Sequence, residues 1–435
     1  MKKIMNLLKG KMVQNAGWLI GAKVYQMVIN LAVSMLMARY LGPSDFGLVN
    51  YAASFATLFT AICTLGIDSI LVNELLNNRA NGKLLGSAIG LRLCSSALSV
   101  ATIIGLAWVL NPNEPLTITV VAIYSISLIF QCFDTINLWF QSKLLSKVTA
   151  IVSAAGFTVT ALYKTFLLIT QKNVVWFAAA HAVEYSFVAI LLLLAYYKNR
   201  PKDQSLRFSG KLGVQLLSKS YHFIISGMMI ALYGQMDRVM LKAMIDETSA
   251  VGLYSCASTI SSLWYFVLVA IIDSAKPVIL ENYKKDKHAF ETGLIRLYGV
   301  IIYLSALAAI GLSLLSKPLI LLLFGKAYKD AWLALCILSC GTAFAYLGVA
   351  RSIWLVPQGK QKYAKYIAAC GAAGNLLLNL LLIPRFGFEG AAIATVATQI
   401  FNNFILGFLI PPIRENNILI LKAFVFWRYL KKPKV

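Results

Sequence analysis

Charge is what this sequence has least of. Only 13% of its 435 residues are Asp, Glu, Lys or Arg, against about 25% in a soluble globular protein. Hydrophobic residues make up 59%, and mean hydropathy is +0.73. A water-soluble core has no use for so much apolar material, so lipid has to solvate it. That excludes a string of soluble domains. Acid is scarcer than base: 17 Asp and Glu stand against 40 Lys and Arg, a formal charge of +23. In a soluble protein that excess would suggest nucleic acid. Here the simpler account is tested first, that basic residues line the cytoplasmic side of a membrane protein.

Reactive motifs are missing too. The seven cysteines contain no Cys-x-x-Cys. Cys336 and Cys340 stand one helical turn apart, but no His or second Cys pair accompanies them, so they read as small apolar packing residues and no metal site is expected. No span carries His-Glu-x-x-His, Gly-x-Ser-x-Gly or a Walker-type loop, and no loop carries an Asp-x-Asp pair. No loop is long enough to fold into a catalytic domain. No catalytic residue and no cofactor are expected, which leaves an ion gradient (H+ or Na+) or a substrate gradient as the drive. The N-terminal MKKIMNLLKGKM is basic and amphipathic without a small-residue cleavage site, so it reads as a segment lying on the inner membrane surface.

What is present is a run of spans. A crossing helix needs about 20 mostly apolar residues. That window predicts twelve helices: 15–38, 46–73, 86–110, 116–140, 147–170, 174–197, 221–244, 251–275, 293–315, 330–356, 362–383 and 389–412. The longest connection, KNRPKDQSLRFSGKLGVQLLSKS at 198–220, separates six spans from six. The expected organisation is a basic segment 1–14, a six-helix bundle 15–197, a cytoplasmic linker 198–220, a second bundle 221–412 and a basic tail 413–435. On one side of the membrane fall roughly 25 Lys and Arg, and about 7 on the other, which puts both termini in the cytoplasm. This asymmetry accounts for most of the positive charge without nucleic acid. The segment 418–430 is amphipathic and reads as a surface-lying tail. The halves also echo each other: FGLVNYAASF from Phe46 and VGLYSCASTI from Val251 both open the second span of their half, as expected of a parallel internal repeat.

Polar residues inside apolar helices carry the functional signal. Span 1 has Lys23, Gln26, Asn30 and Ser34; span 2 has Asn50, Ser54, Thr57, Thr64 and Asp68; span 4 has Ser127, Gln131, Asp134 and Gln141. Span 8 has Ser255, Ser258 and Ser262, and span 12 has Thr395, Gln399 and Asn402. Such spacing puts each set on one helix face. Ser and Thr faces can simply glue helices together. Ionisable groups need more, since each costs about 2.5–3.5 kcal/mol at mid-membrane on insertion scales. Several stripes together predict a shared water-filled cavity. Lys23, Arg92, Lys164, His181 and Glu184 lie deep in their spans. The deep cations serve either an anion or internal acids. His181 and Glu184, three residues apart, form either a local hydrogen bond or a proton relay. Asp68 and Asp134 lie nearer the cytoplasmic ends, and Asp237 and Arg238 nearer the outer end of span 7. These six residues, Asp68, Asp134, His181, Glu184, Asp237 and Arg238, are the cavity or coupling candidates.

ARYLGPSDFGLVNYA at 38–52 resembles the signature after the first span of the polysaccharide transporter family. These are flippases of O-antigen and other lipid-linked oligosaccharides, in the superfamily that includes multidrug extruders and lipid II flippases. MDRVMLKAMIDETSAVGLYSCAS at 236–258 is similar to the start of that family's second half. GNLLLNLLLIPRFGFEGAAIATVATQ at 374–399 is similar to its hairpin between spans 11 and 12, and LLFGKAYKDA at 322–331 is a weaker match. The resemblance implies an all-α integral membrane protein of two six-helix bundles related by pseudo-two-fold symmetry around a central cavity. It implies a bacterial plasma membrane, an undecaprenyl-diphosphate-linked glycan as substrate, polysaccharide polymerase machinery as a further partner, and transport without covalent change. A diphosphate needs fixed cations in a low-dielectric cavity, so Lys23, Arg92 and Lys164, with Gln26 and Asn30, are the substrate-binding candidates. The alternatives are a cation-coupled drug exporter of the same superfamily, which favours acidic cavity residues, and a membrane glycan polymerase or acyltransferase, which requires catalytic acids or His on an outer loop.

Overall fold

The computed structural model describes residues 11–77, 81–201, 204–245 and 247–429. The first ten residues of the expected segment 1–14 lie outside that set. The described residues are helical almost throughout, with no strand among them. Nine of their helical stretches are long and apolar enough to cross a membrane. Two of these, Gly21–Asn77 and Lys362–Leu409, hold two rods each, and Gly210–Ile245, too polar to count among the nine, adds another. The rods match the twelve expected spans. They are span 1 (11–41), span 2 (43–77), span 3 (Asn81–Leu110), span 4 (Pro115–Ser142), span 5 (Ser146–Ile169) and span 6 (Val174–Asn199). Then come span 7 (Gly210–Ile245), span 8 (248–285), span 9 (Lys287–Leu314), span 10 (Lys326–Leu355), span 11 (362–386) and span 12 (388–409).

The turns follow from residue chemistry. Between spans 1 and 2 the chain reverses at Gly42, φ 72° and ψ 175°, a conformation that costs glycine little. Pro43 then opens the next helix, where its missing N–H is no loss. Gly387, φ 58°, does the same between spans 11 and 12. At Gly390 a Cβ would overlap the backbone of Leu382, so only glycine lets the two rods of this hairpin approach so closely.

Several spans expected to be continuous are interrupted, spans 2 and 4 among them. Span 2 stops at Leu65 and Gly66, both at positive φ, and restarts as Asp68–Asn77. Span 4 is interrupted at Ile126 and by a tight turn at Cys132–Asp134. There Ser125, Ser127 and Thr135 each donate to the carbonyl three residues back, at 2.8, 2.7 and 2.6 Å. Hydroxyls used in this way compete with the regular ladder.

Contacts divide the chain into two units, Met1–Gln235 and Met236–Val435, and the boundary falls inside span 7. In unit 1, span 1 runs along span 5, and span 5 along span 6. The core gathers Trp139, Phe140, Tyr196, Leu85 and Leu216. The range expected as linker, 198–220, is loop only until span 7 starts at Gly210. Its backbone lies on span 3: Ser209 N donates to Ser87 Oγ at 2.9 Å, and Ser87 Oγ reaches Ser209 O at 3.2 Å.

In unit 2, span 10 packs between span 9 and span 12, where Gly341 and Gly348 face Val396 and Asn403, around Tyr298, Ile301, Leu347 and Trp354. The C-terminal segment differs from the expected surface-lying tail. Helix Arg414–Ala423, with Ile413 just before it, inserts Leu419, Ile420 and Ala423 into this core, and Asn416 and Asn417 are fully buried. Asn416 donates to Tyr298 Oη at 2.6 Å, and Arg351 donates to Asn417 Oδ1 at 3.5 Å. Its opposite face, with Ile418 and Leu421, stays exposed, so its apolar residues are divided between the core and the surface. The two echoing segments take like positions: Gly47 and Gly252 each sit in the first turns of the second span of their unit, and both are buried.

Candidate functional site

Unit 1 holds a cleft of about 280 Å³ lined by Lys23 and Gln26 of span 1, Asn137 and Gln141 of span 4, and Thr149 and Ser153 of span 5. Lys23 is exposed and has no ion pair among the described residues. Its ammonium therefore stands among amides and hydroxyls, which suit an anion with sugar-like neighbours. Asn30 is exposed further along span 1 and does not line this cleft.

Of the other deep cations, Arg92 is held by an acid. Arg92 is 3% exposed and donates to Asp68 Oδ1 at 2.7 Å. This is internal pairing, one of the two roles open to it, and it leaves the guanidinium no face for a substrate. The pair closes the break in span 2, because Asp68 opens the helix that restarts there, where the helix dipole also favours an acid. Asp134 sits in the tight turn of span 4, with Asn137 Nδ2 at 3.5 Å. Lys164 and Glu184 lie within Coulombic reach of each other across spans 5 and 6, and Glu184 is buried. His181 makes no hydrogen bond to Glu184 among the described residues. Its ring packs on Tyr124 with centroids 4.6 Å apart.

Many stripe hydroxyls are satisfied inside their own helices. Ser54 donates to Asn50 O and Thr57 to Ala53 O, each at 2.8 Å. Those positions need no cavity to explain them.

In unit 2 the structure assembles a tighter group. Asp237 is 3% exposed, and four side chains donate to its carboxylate. Tyr254 Oη and Thr395 Oγ1 lie at 2.5 Å from Oδ2; Asn379 Nδ2 lies at 2.6 Å and Asn375 Nδ2 at 3.2 Å from Oδ1. The donors come from spans 8, 11 and 12. Each hydrogen bond to a charged group is worth about 1.5–3 kcal/mol, so the set offsets a burial penalty of several kcal/mol. All four donors also carry oxygens with lone pairs, and Asn379 Oδ1 is buried without a partner. By rotating hydroxyls and amides, the same shell can face a proton or a small cation on the carboxylate. Beside it, Arg238 Nε donates to Ser255 Oγ at 3.0 Å.

Sequence reasoning singled out Asp237, Arg238 and Thr395 but missed Tyr254, Asn375 and Asn379. A signal existed for the asparagines: GNLLLNLLLI places them four apart in an otherwise apolar run.

Comparisons with known proteins agree with this architecture. The family model for "Polysaccharide biosynthesis protein" matches residues 12–282. Capsular polysaccharide biosynthesis protein CapF of Staphylococcus aureus is 20% identical over 394 residues, covering 89% of this chain and 96% of that protein. Membrane protein YabM of Bacillus subtilis is 26% identical over 236 residues, 51% of this chain and only 44% of that protein. Among solved structures, lipid II flippase MurJ in an inward closed conformation aligns with a TM-score of 0.72 at 15% identity, covering 95% and 93% of the two chains. An inward-facing multidrug resistance MATE family transporter aligns at 0.70 and 15%, covering 91% and 96%. At that identity the two structures speak for the fold alone. With the family model covering well over half its length, this multi-pass membrane chain belongs to the polysaccharide biosynthesis protein family.

Proposed function

We propose that this protein flips a polyprenyl-diphosphate-linked oligosaccharide from the cytoplasmic to the outer leaflet of a bacterial plasma membrane, by alternating access, for surface polysaccharide synthesis. The observation that carries the reading is the family match over 12–282. Flipping breaks no covalent bond, so the residues need only bind, neutralise and release. Lys23 is the cation we assign to the diphosphate, since it is exposed and unpaired among the described residues, while Gln26 and Asn30 serve the glycan. Bringing an anion to an uncompensated cation lowers the membrane penalty of both. Arg92 and Lys164 act through the acids beside them and set the local potential rather than touch the substrate. Asp237 is the coupling group. It exchanges the donors of its shell for H+ or Na+, and Arg238 stands beside it.

The same fold serves the multidrug exporter, for which an acidic, open site for cationic compounds is expected. The open cleft of unit 1 presents a lysine, and Asp68 is tied to Arg92, which favours the anionic substrate. The test is complementation of an export-deficient strain, with membrane abundance measured in parallel. Lys23→Gln is expected to impair export at normal abundance and Lys23→Arg to be milder. Normal export by Lys23→Gln would remove the substrate role from this cleft.

A further inference from the structure

Unit 2 contains a second cavity, of about 740 Å³, which the transport reading leaves unused. It lies between span 8, span 9 and the turn at Phe426–Tyr429 that follows the C-terminal helix. Its size falls within the range of about 300–1,000 Å³ usual for small-ligand sites. The turn is a fixed wall. Arg296 Nε donates to Tyr429 O at 2.7 Å, and Tyr303 Oη to Phe424 O at 2.6 Å. The Phe426 ring sits on Gly299, where any Cβ would collide with it.

The lining changes character along the helices. Spans 8 and 9 run antiparallel, so the end of one meets the start of the other. At that end Asn282 and His288 make a polar mouth, on the side that the basic asymmetry assigns to the cytoplasm. About two turns deeper stand two guanidinium groups, Arg296 of span 9 and Arg428 of the turn. Val278 flanks the arginines on the mouth side and Val300 stands one turn beyond them, 61% and 38% exposed, so the cavity opens sideways toward lipid, and its deeper wall is mostly apolar, with Ile271, Ala275 and Leu297. Neither arginine has an acidic partner within ion-pair distance among the described residues. The one carboxylate in the lining, Asp286, accepts from His288 N at 2.8 Å and so caps its own helix.

Two unpaired guanidiniums fit the oxygens of a phosphate. An apolar continuation open to the bilayer fits alkyl chains and gives a soluble anion nothing to bury. Depth agrees, since basic pockets at the cytoplasmic ends of spans are where lipid head groups are held. We propose that this cavity binds one anionic phospholipid, its phosphate between Arg296 and Arg428 and its chains leaving past Val278 and Val300. The occupant is a resident lipid of unit 2, whereas Lys23 belongs to unit 1, so its binding does not depend on which glycan is carried.

The test uses the purified full chain and native mass spectrometry, titrating phosphatidylglycerol against phosphatidylcholine. One phosphatidylglycerol is expected per chain, bound about tenfold more tightly than phosphatidylcholine, as one charge-assisted contact warrants. Arg428→Gln, at an exposed residue whose side chain supports no other part of the fold, is expected to erase the preference. Val278→Trp, which fills the apolar flank, is expected to weaken both lipids. Equal retention of phosphatidylglycerol by wild type and Arg428→Gln would overturn the proposal. So would undiminished binding by Val278→Trp, or displacement of the lipid by millimolar inorganic phosphate, which would mark a site for the free anion.

Discussion

Unit 1 keeps its charges beside opposite charges or at open faces, whereas unit 2 buries the Asp237 carboxylate among hydroxyl and amide donors. Arg92 meets Asp68 at 2.7 Å, with Asp68 still 45% exposed, and Lys23 stands in an open cleft. Asp237 has four donors within 3.2 Å and almost no exposure. The contrast separates two tasks. An open, flexible cation is suited to a large anion that comes and goes. A carboxylate enclosed by adjustable dipoles is suited to a small cation or a proton, because the shell can turn without moving a helix. The two units echo each other in sequence at Gly47 and Gly252, yet their polar groups are arranged differently.

The sharpest way to break the contrast is Asp237→Asn. Volume is kept, but the new amide places N–H groups against donors, and each donor left unsatisfied costs about 1–3 kcal/mol. Transport driven by an ion gradient is expected to fall about 100-fold and to lose its dependence on that gradient, measured in vesicles with and without a pH or Na+ gradient. Second is Lys23→Gln, for which export is expected to fall about tenfold at unchanged abundance, with Lys23→Arg within a few-fold of wild type. Third, Arg92→Ala is expected to destabilise the protein by about 1–3 kcal/mol, less than the full cost of breaking a buried pair because Asp68 reaches solvent. Thermal unfolding in detergent checks this, and adding Asp68→Ala is expected to recover part of the loss. The smallest effect is Thr57→Val, within about 0.5 kcal/mol and without effect on export, since the Thr57 hydroxyl only serves the carbonyl of Ala53.

The fold was largely legible in the sequence because lipid imposes a length and an apolarity that each span must meet. Gly42-Pro43 and Gly387 announced their turns through residue chemistry. The interruptions of span 4 at Ile126 and at Cys132–Asp134 did not. The hydroxyls of Ser125, Ser127 and Thr135 there look no different in sequence from those of Ser54 and Thr57, which leave their helix intact. The site was legible in part. Lys23 and Gln26 from the stripe of span 1 and Gln141 from that of span 4 line one cleft. The pairing of Arg92 with Asp68 spans 24 residues, and the shell of Asp237 reaches Asn375, Asn379 and Thr395 across 138, 142 and 158 residues. Only the packing of spans 7, 8, 11 and 12 brings that shell together.

Whether an anionic lipid-linked glycan is the cargo is tested most directly by reconstituting the full chain in proteoliposomes. A fluorescent polyprenyl-diphosphate oligosaccharide is included, and its access to a membrane-impermeant quencher is followed. Wild type is expected to move the lipid between leaflets faster than protein-free vesicles, and Lys23→Gln to do so more slowly. A wild-type rate equal to that of empty vesicles, with the same preparation moving a lipophilic cation, would contradict the account.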